Sequence, residues 1–171
     1  SGGGGGGGGG PPPPTPRPLI PGGEPRGMPR SGPATPGSPP LRIIPLGGVG
    51  EIGKNMLVVE QGDDIVVVDA GLMFPDEEML GIDLVIPDIR YLRERKTKVR
   101  GILVTHAHED HIGALPYVLR EFPDVPIHGT KLTLGLIRTK LREHKLAERP
   151  AFREIAPGEP LRIGPVGCAA Y

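Results

Sequence analysis

Cysteine is nearly absent from this sequence. Cys168 stands alone, so no disulfide can close within the chain, and a reducing compartment fits. No stretch reaches the apolar length of a membrane span, and the first residues lack the charged and apolar regions of a signal peptide. These absences set a cytoplasmic location, with no membrane partner, as the expectation. Net charge is missing too: 20 Lys and Arg balance 20 Asp and Glu, which removes any global sign of a polyanion partner. Large apolar side chains are scarce over residues 1–40, which instead hold 14 of the 28 glycines and 13 of the 23 prolines. Such a segment cannot offset the entropy of ordering itself, so a disordered Gly/Pro-rich tail is expected there. Arg17, Arg26 and Arg30 against Glu24 make it mildly basic. A solvated tail is the plainer account of those charges, and weak contact with RNA the other.

From residue 41 onward the pattern changes to short apolar runs separated by turns. Residues 41–46 read as a first strand ending at the glycine-rich run 47–53. Residues 55–60 and 64–69 read as a hairpin joined by Gln61-Gly62-Asp63. Residues 70–88 form a long excursion of the kind that carries function, and 89–95 a short helix. Residues 99–105 suit a buried strand. Pro116 is tolerated only in the first turn of a helix, which leaves 106–113 as a loop, and Pro123 bounds that helix. A strand over 125–128 follows. Thr130 then caps a helix over about 131–146, with Leu134, Ile137 and Leu141 at core-facing spacing. Strands over 152–155 and 161–163 close the readable region.

Between the 99–105 strand and the Pro116 helix lies His106-Ala107-His108-Glu109-Asp110-His111. Multiplying this chain's own residue frequencies, an HxHxDH pattern arises by chance on the order of 10⁻⁴ per chain, so a common cause is required. Neutral imidazole and carboxylate are the nitrogen and oxygen ligands of zinc and its neighbours. His106 ends the strand, and an extended backbone aims His106 and His108 at one ion. Asp110 and His111, on the turn into the helix, point towards a second. α/β folds place their sites at this carboxyl end of a strand. Two ions about 3.5–4 Å apart can share a hydroxide, lower its pKa and stabilise an in-line displacement at phosphorus.

Asp69 ends the preceding β-rich run and is placed to accept a hydrogen bond from a ligand histidine, unless it is an ordinary strand-end turn residue. The 47–53 run is neither a P-loop nor a dinucleotide fingerprint, and a tight turn accounts for it. His128 and His144 read as structural, Glu109 as solvated, and Glu51 as a candidate acid supporting the site.

Three stretches together resemble the ribonuclease J family: LGGVGEIGKN at 46–55, VVDAGLMFPDEEMLGIDLVIPD at 67–88, and LVTHAHEDHIGALPY at 103–117. The HGTKLT wording at 128–133 belongs to the same resemblance, which extends from residue 42 to about 164. It implies an α/β fold, a partial metallo-β-lactamase αββα sandwich, over residues 41–164. It also implies a metal-dependent ribonuclease acting in RNA processing and decay, by 5′-to-3′ exonucleolytic and endonucleolytic routes, with a hydroxide bridged by two zinc-type ions as attacking group. By motif match His106 and His108 bind the first ion, Asp110 and His111 the second, with Asp110 also catalytic and Asp69 supporting. Zn²⁺ is the expected cofactor, with Mn²⁺ or Mg²⁺ as alternatives. Some relatives hold a structural Ca²⁺ by backbone carbonyls that map to Leu80 and Ile82. RNA is the implied partner, and homodimerisation is implied for the family.

The family's later histidine, bridging aspartate and final histidine have no counterpart here, nor does its β-CASP domain. Residues 165–171 depart from the family pattern. The expectation is therefore a truncated chain with half a site, inactive or nearly so alone. The competing functions are another hydrolase of the same fold, acting on a lactone, thioester or β-lactam, and a non-enzymatic RNA-binding fragment.

Overall fold

The computed structural model describes residues 37–75, 79–156 and 158–169. Residues 1–36, most of the expected Gly/Pro-rich tail, lie outside the described residues. A six-stranded sheet takes its strands in sequence order: β1 (Leu41–Gly47), β2 (Met56–Gln61), β3 (Asp64–Val68), β4 (Val99–Leu103), β5 (Ile127–Gly129) and β6 (Phe152–Glu154). The first three form an antiparallel meander. From β3 to β6 every pairing is parallel, which requires a crossover between successive strands. Those crossovers carry α1 (Arg90–Arg93), the consecutive helices α2 (Glu109–Ile112) and α3 (Leu115–Glu121), and α4 (Lys131–Glu143).

Period-two alternation decides what each face meets. Met56 and Val58 on β2, Ile65 and Val67 on β3, and Ile102 on β4 join the main core with Leu92, Leu115, Leu119, Leu134, Ile137 and Leu141 of the helices. The opposite face offers Val59, Val66 and Leu103, which pack against Leu161, Ile163, Val166 and Cys168. The latter belong to an antiparallel pair, β7 (Pro160–Ile163) and β8 (Val166–Ala169). Helices, sheet and hairpin thus stack as α/β/β, three of the four layers of the expected sandwich.

Several element boundaries differ from expectation. The 106–113 segment is a helical turn over α2 rather than a loop throughout, because the His108 carbonyl accepts from both His111 N and Ile112 N at 2.9 Å. Strand β5 begins two residues late, after Pro126, which brings no N–H to a ladder. Helix α4 stops at Glu143 in a Schellman turn: Leu146 N donates to Leu141 O (2.8 Å) and Lys145 N to Arg142 O (3.0 Å). Strand β8 was not anticipated, since Gly-Cys-Ala lacks the β-branched alternation that marks a strand. Among the described residues no helix is long and apolar enough to cross a membrane.

Candidate metal centre

Parallel pairing of β3 with β4 puts their carboxyl ends side by side. Asp69 follows the first and Thr105-His106 follows the second. The antiparallel β1–β2 turn falls at this same edge, because Leu57 near the start of β2 pairs with Val68 at the end of β3. Three segments distant in sequence therefore meet at one rim, where open α/β sheets bind ligands.

Asp69 is 5% exposed and holds φ +61°, a left-handed conformation rarely adopted without glycine. Its N–H donates to Leu103 O at 2.8 Å. Its carboxylate accepts from Thr105 N (2.8 Å) and lies 2.8 Å from both the Thr105 hydroxyl and His111 Nδ1. A carboxylate only accepts, so His111 carries its proton on Nδ1 and leaves Nε2 unprotonated, with a lone pair of the kind that binds a cation. The Thr105 hydroxyl also lies 3.0 Å from His106 Nδ1. With its own proton given to Asp69, it accepts from that ring, and Nε2 is again the unprotonated atom.

The His106 imidazole touches both other motif rings: ring centroids are 4.0 Å apart for His106–His111 and 4.6 Å for His106–His108. Asp110 Oδ2 lies 3.4 Å from His111 Nε2. Two donors bound at 2.0–2.1 Å to one tetrahedral zinc are about 3.4 Å apart, so this pair fits a shared ion. Among the described residues no group of three or more His, Cys, Asp or Glu side chains is arranged to hold an ion; donors come in pairs.

Asn55 is a residue that sequence reasoning missed. Its amide donates to the Asp110 carbonyl (3.0 Å) and to Oδ2 (3.1 Å), and faces His111 Nε2 at 3.3 Å. Its backbone N–H also donates to Asp110 O at 3.0 Å. The glycine-rich run 47–53 is what delivers it: Gly48 at φ +81° passes so close to the Asn55 side chain that a Cβ would collide with Oδ1. That run is a turn, as expected, but one that ends on the site. Glu51 buttresses it, accepting from Gly48 N (3.3 Å) and pairing with Lys54 (2.9 Å). Those two partners hold its carboxyl below the usual range.

Glu109 is not simply solvated, because Lys140 of α4 donates to both its oxygens at 3.0 and 2.8 Å. His128 is buried on β5 and His144 lies beside Tyr117, with ring centroids 6.4 Å apart. Leu80 and Ile82 sit on an exposed turn in which Ile82 N donates to Met79 O at 3.2 Å. A cleft of about 710 Å³, lined by Ile52, Leu72, Phe74 and Met79 among others, opens onto Asp110.

Residues 49–166 match the model of the metallo-beta-lactamase superfamily. Ribonuclease J of Synechocystis sp. is 48% identical over 125 residues, covering 72% of this chain and 19% of that protein. Ribonuclease J 2 of Staphylococcus aureus is 54% identical over 112 residues, covering 66% of this chain and 20% of its own length. The chain thus spans about a fifth of the length of these relatives. Among solved structures, a protein of unknown function from Enterococcus faecalis V583 aligns with a TM-score of 0.52 at 17% identity, over 74% of this chain and 36% of that one. Unliganded yeast PDE1 aligns with a TM-score of 0.51 at 14% identity, over 72% and 52%. At such identities these two speak for the fold alone. The chain belongs to the metallo-beta-lactamase superfamily and, within it, to the ribonuclease J family.

Proposed function

We propose that this chain contributes to the metal centre of a divalent-metal-dependent ribonuclease that hydrolyses RNA phosphodiesters, by 5′-to-3′ exonucleolytic and endonucleolytic routes. The observation that carries the reading is the convergence of His106, His108 and His111, with Asp110, on the rim governed by buried Asp69. RNA as substrate is suggested by the ribonuclease names of relatives 48–54% identical. In this reading His106 and His108 hold one ion, Asp110 and His111 the other, and zinc suits the imidazole-rich set better than magnesium. Bound ions would supply Lewis acidity and acidify a water. The protein's own share is orientation: Asp69 keeps the proton on His111 Nδ1, Thr105 orients His106, and Asn55 and Lys140 hold the Asp110-bearing turn.

Two donors per ion fall short of the three protein ligands usual in a catalytic zinc site. The 171 residues alone are therefore expected to bind zinc weakly and to cleave RNA slowly or not at all. Calorimetric zinc titration of the chain, alongside H106A/H108A and D110A/H111A variants, tests the assignment. Each double variant should lose one class of site and keep the other. Zinc binding unaffected by both would sink it.

A further inference from the structure

The zero net charge of the chain conceals a segregation. Residues 131–153 hold seven lysines and arginines against Glu143 and Glu148, a net +5, so the remainder carries −5. Helix α4 sorts this charge by face. Leu134, Ile137 and Leu141 point into the core, while Lys131, Arg138 and Arg142, at i, i+7 and i+11, share one exposed stripe. Gly135 leaves the middle of that stripe without a side chain. The Arg138 guanidinium lies 4.5 Å over the Phe152 ring. Arg138, Arg142 and Phe152 line a cleft of about 310 Å³ with Glu148.

Five arginines elsewhere, Arg42, Arg90, Arg93, Arg95 and Arg100, each bond a carboxylate; Arg120 on α3 and Arg162 on β7 bond none among the described residues, but lie on separate elements. Among the described residues Arg138, Arg142 and Arg149 bond none. Solvated lysines alone would be an ordinary surface, but unneutralised arginines in a row beside an aromatic ring form the electrostatic footprint of a nucleic-acid strand. The stripe also has a physical link to the rim, since Lys140, between Arg138 and Arg142 in sequence, holds Glu109.

We propose that the outer face of α4 and the turn after it bind the phosphate backbone of single-stranded RNA without regard to sequence, outside the metal centre. This rests on the reading of RNA as substrate, but uses none of the residues assigned to metal. The test is anisotropy of a labelled single-stranded RNA with the full 171-residue chain, in chelator, from 50 to 200 mM salt. Each phosphate contact contributes about 0.7 to the slope of log K against log salt. R138Q/R142Q should therefore flatten the slope by about 1.4 and weaken binding about tenfold, with zinc binding unchanged. K131Q should flatten it by about half as much. Equal slopes for wild type and R138Q/R142Q overturn the proposal, as does an acidic peptide of equal charge binding as tightly as RNA. No RNA binding by the wild type also overturns it, and zinc titration of the same sample shows separately whether the metal assignment stands.

Discussion

A left-handed backbone at a non-glycine residue costs about 1–3 kcal/mol and persists only where its surroundings over-determine it. Asp69 meets that condition through five bonds: its N–H to Leu103, its carboxylate to both groups of Thr105 and to His111, and the neighbouring Ala70 N to His111 O at 2.7 Å. The strain aims one carboxylate at the proton that decides which nitrogen of His111 is unprotonated. Asp69→Asn keeps the shape but presents a single acceptor atom to three donors. Zinc affinity should fall 10–100-fold, the usual cost of losing a ligand's outer partner, with unfolding still cooperative. Unchanged affinity would refute the tautomer role. The motif itself was legible because ligand-type residues stand within six positions of one another. Asn55, Thr105 and Lys140 were not, since their partners lie 55, 36 and 31 residues away in sequence and polar residues of their kinds are common on any surface.

Elements dock on one another here through backbone rather than bulk. Helix α2 is stitched to the β3 terminus by Ala70 N to His111 O, Leu72 N to Glu109 O (3.1 Å) and Ala114 N to Ala70 O (2.8 Å). The approach is so close that a Cβ on Gly71 would sit 2.8 Å from Asn55 N and nearer still to the Asp110 carbonyl. Both are main-chain atoms that no rotamer can move. Gly71→Ala is therefore expected to cost at least about 2–3 kcal/mol, the upper part of the overpacking range, and to weaken zinc binding by displacing Asp110. Urea unfolding within 0.5 kcal/mol of wild type would mean the two elements can separate freely. Helix α4 shows the opposite, an element with a correctable flaw. Thr130 caps it as the sequence suggested, accepting from Thr133 N at 3.4 Å. Its far end escaped notice because the left-handed position of the Schellman turn is Lys145, at φ +58°, where glycine is the usual signal. Lys145→Gly removes a strain of about 1–2 kcal/mol and should raise stability by about 0.5–1 kcal/mol after the entropy of the more flexible unfolded chain is deducted. A lowered urea midpoint would contradict this account of the turn.

At the scale of the molecule, the sheet has two unequal covers. The helical side buries most of the apolar residues, whereas the β7–β8 side rests on Ile163 and Val166 with a few half-buried partners. Sequence patterning conveyed the first cover through the spacing of Leu134, Ile137 and Leu141. It could not convey the second, which depends on a strand of small residues pairing back on β7. Beside this thinner cover lies His128, 8% exposed, its Nδ1 without a partner among the described residues. Its ring passes over Gly101, where an added Cβ would lie 3.2 Å from the ring and 3.0 Å from Ile163. Burial, and then the charge of Arg153, push its pKa below the ordinary 6.5. Between that lowered value and 6.5 the unfolded chain binds more protons than the folded one, so stability is fully present above the window and is lost as pH falls through it. Wild-type chain in chelator should accordingly lose urea stability from pH 7.5 to 5.5, with the β7–β8 amides losing exchange protection first. The chain holds four other histidines, so the decisive quantity is the difference from His128→Phe, which keeps a flat ring and removes the titrating nitrogen. The variant should show a shallower decline over the window. Parallel declines in the two proteins would mean that His128 takes up its proton without disturbing the hairpin.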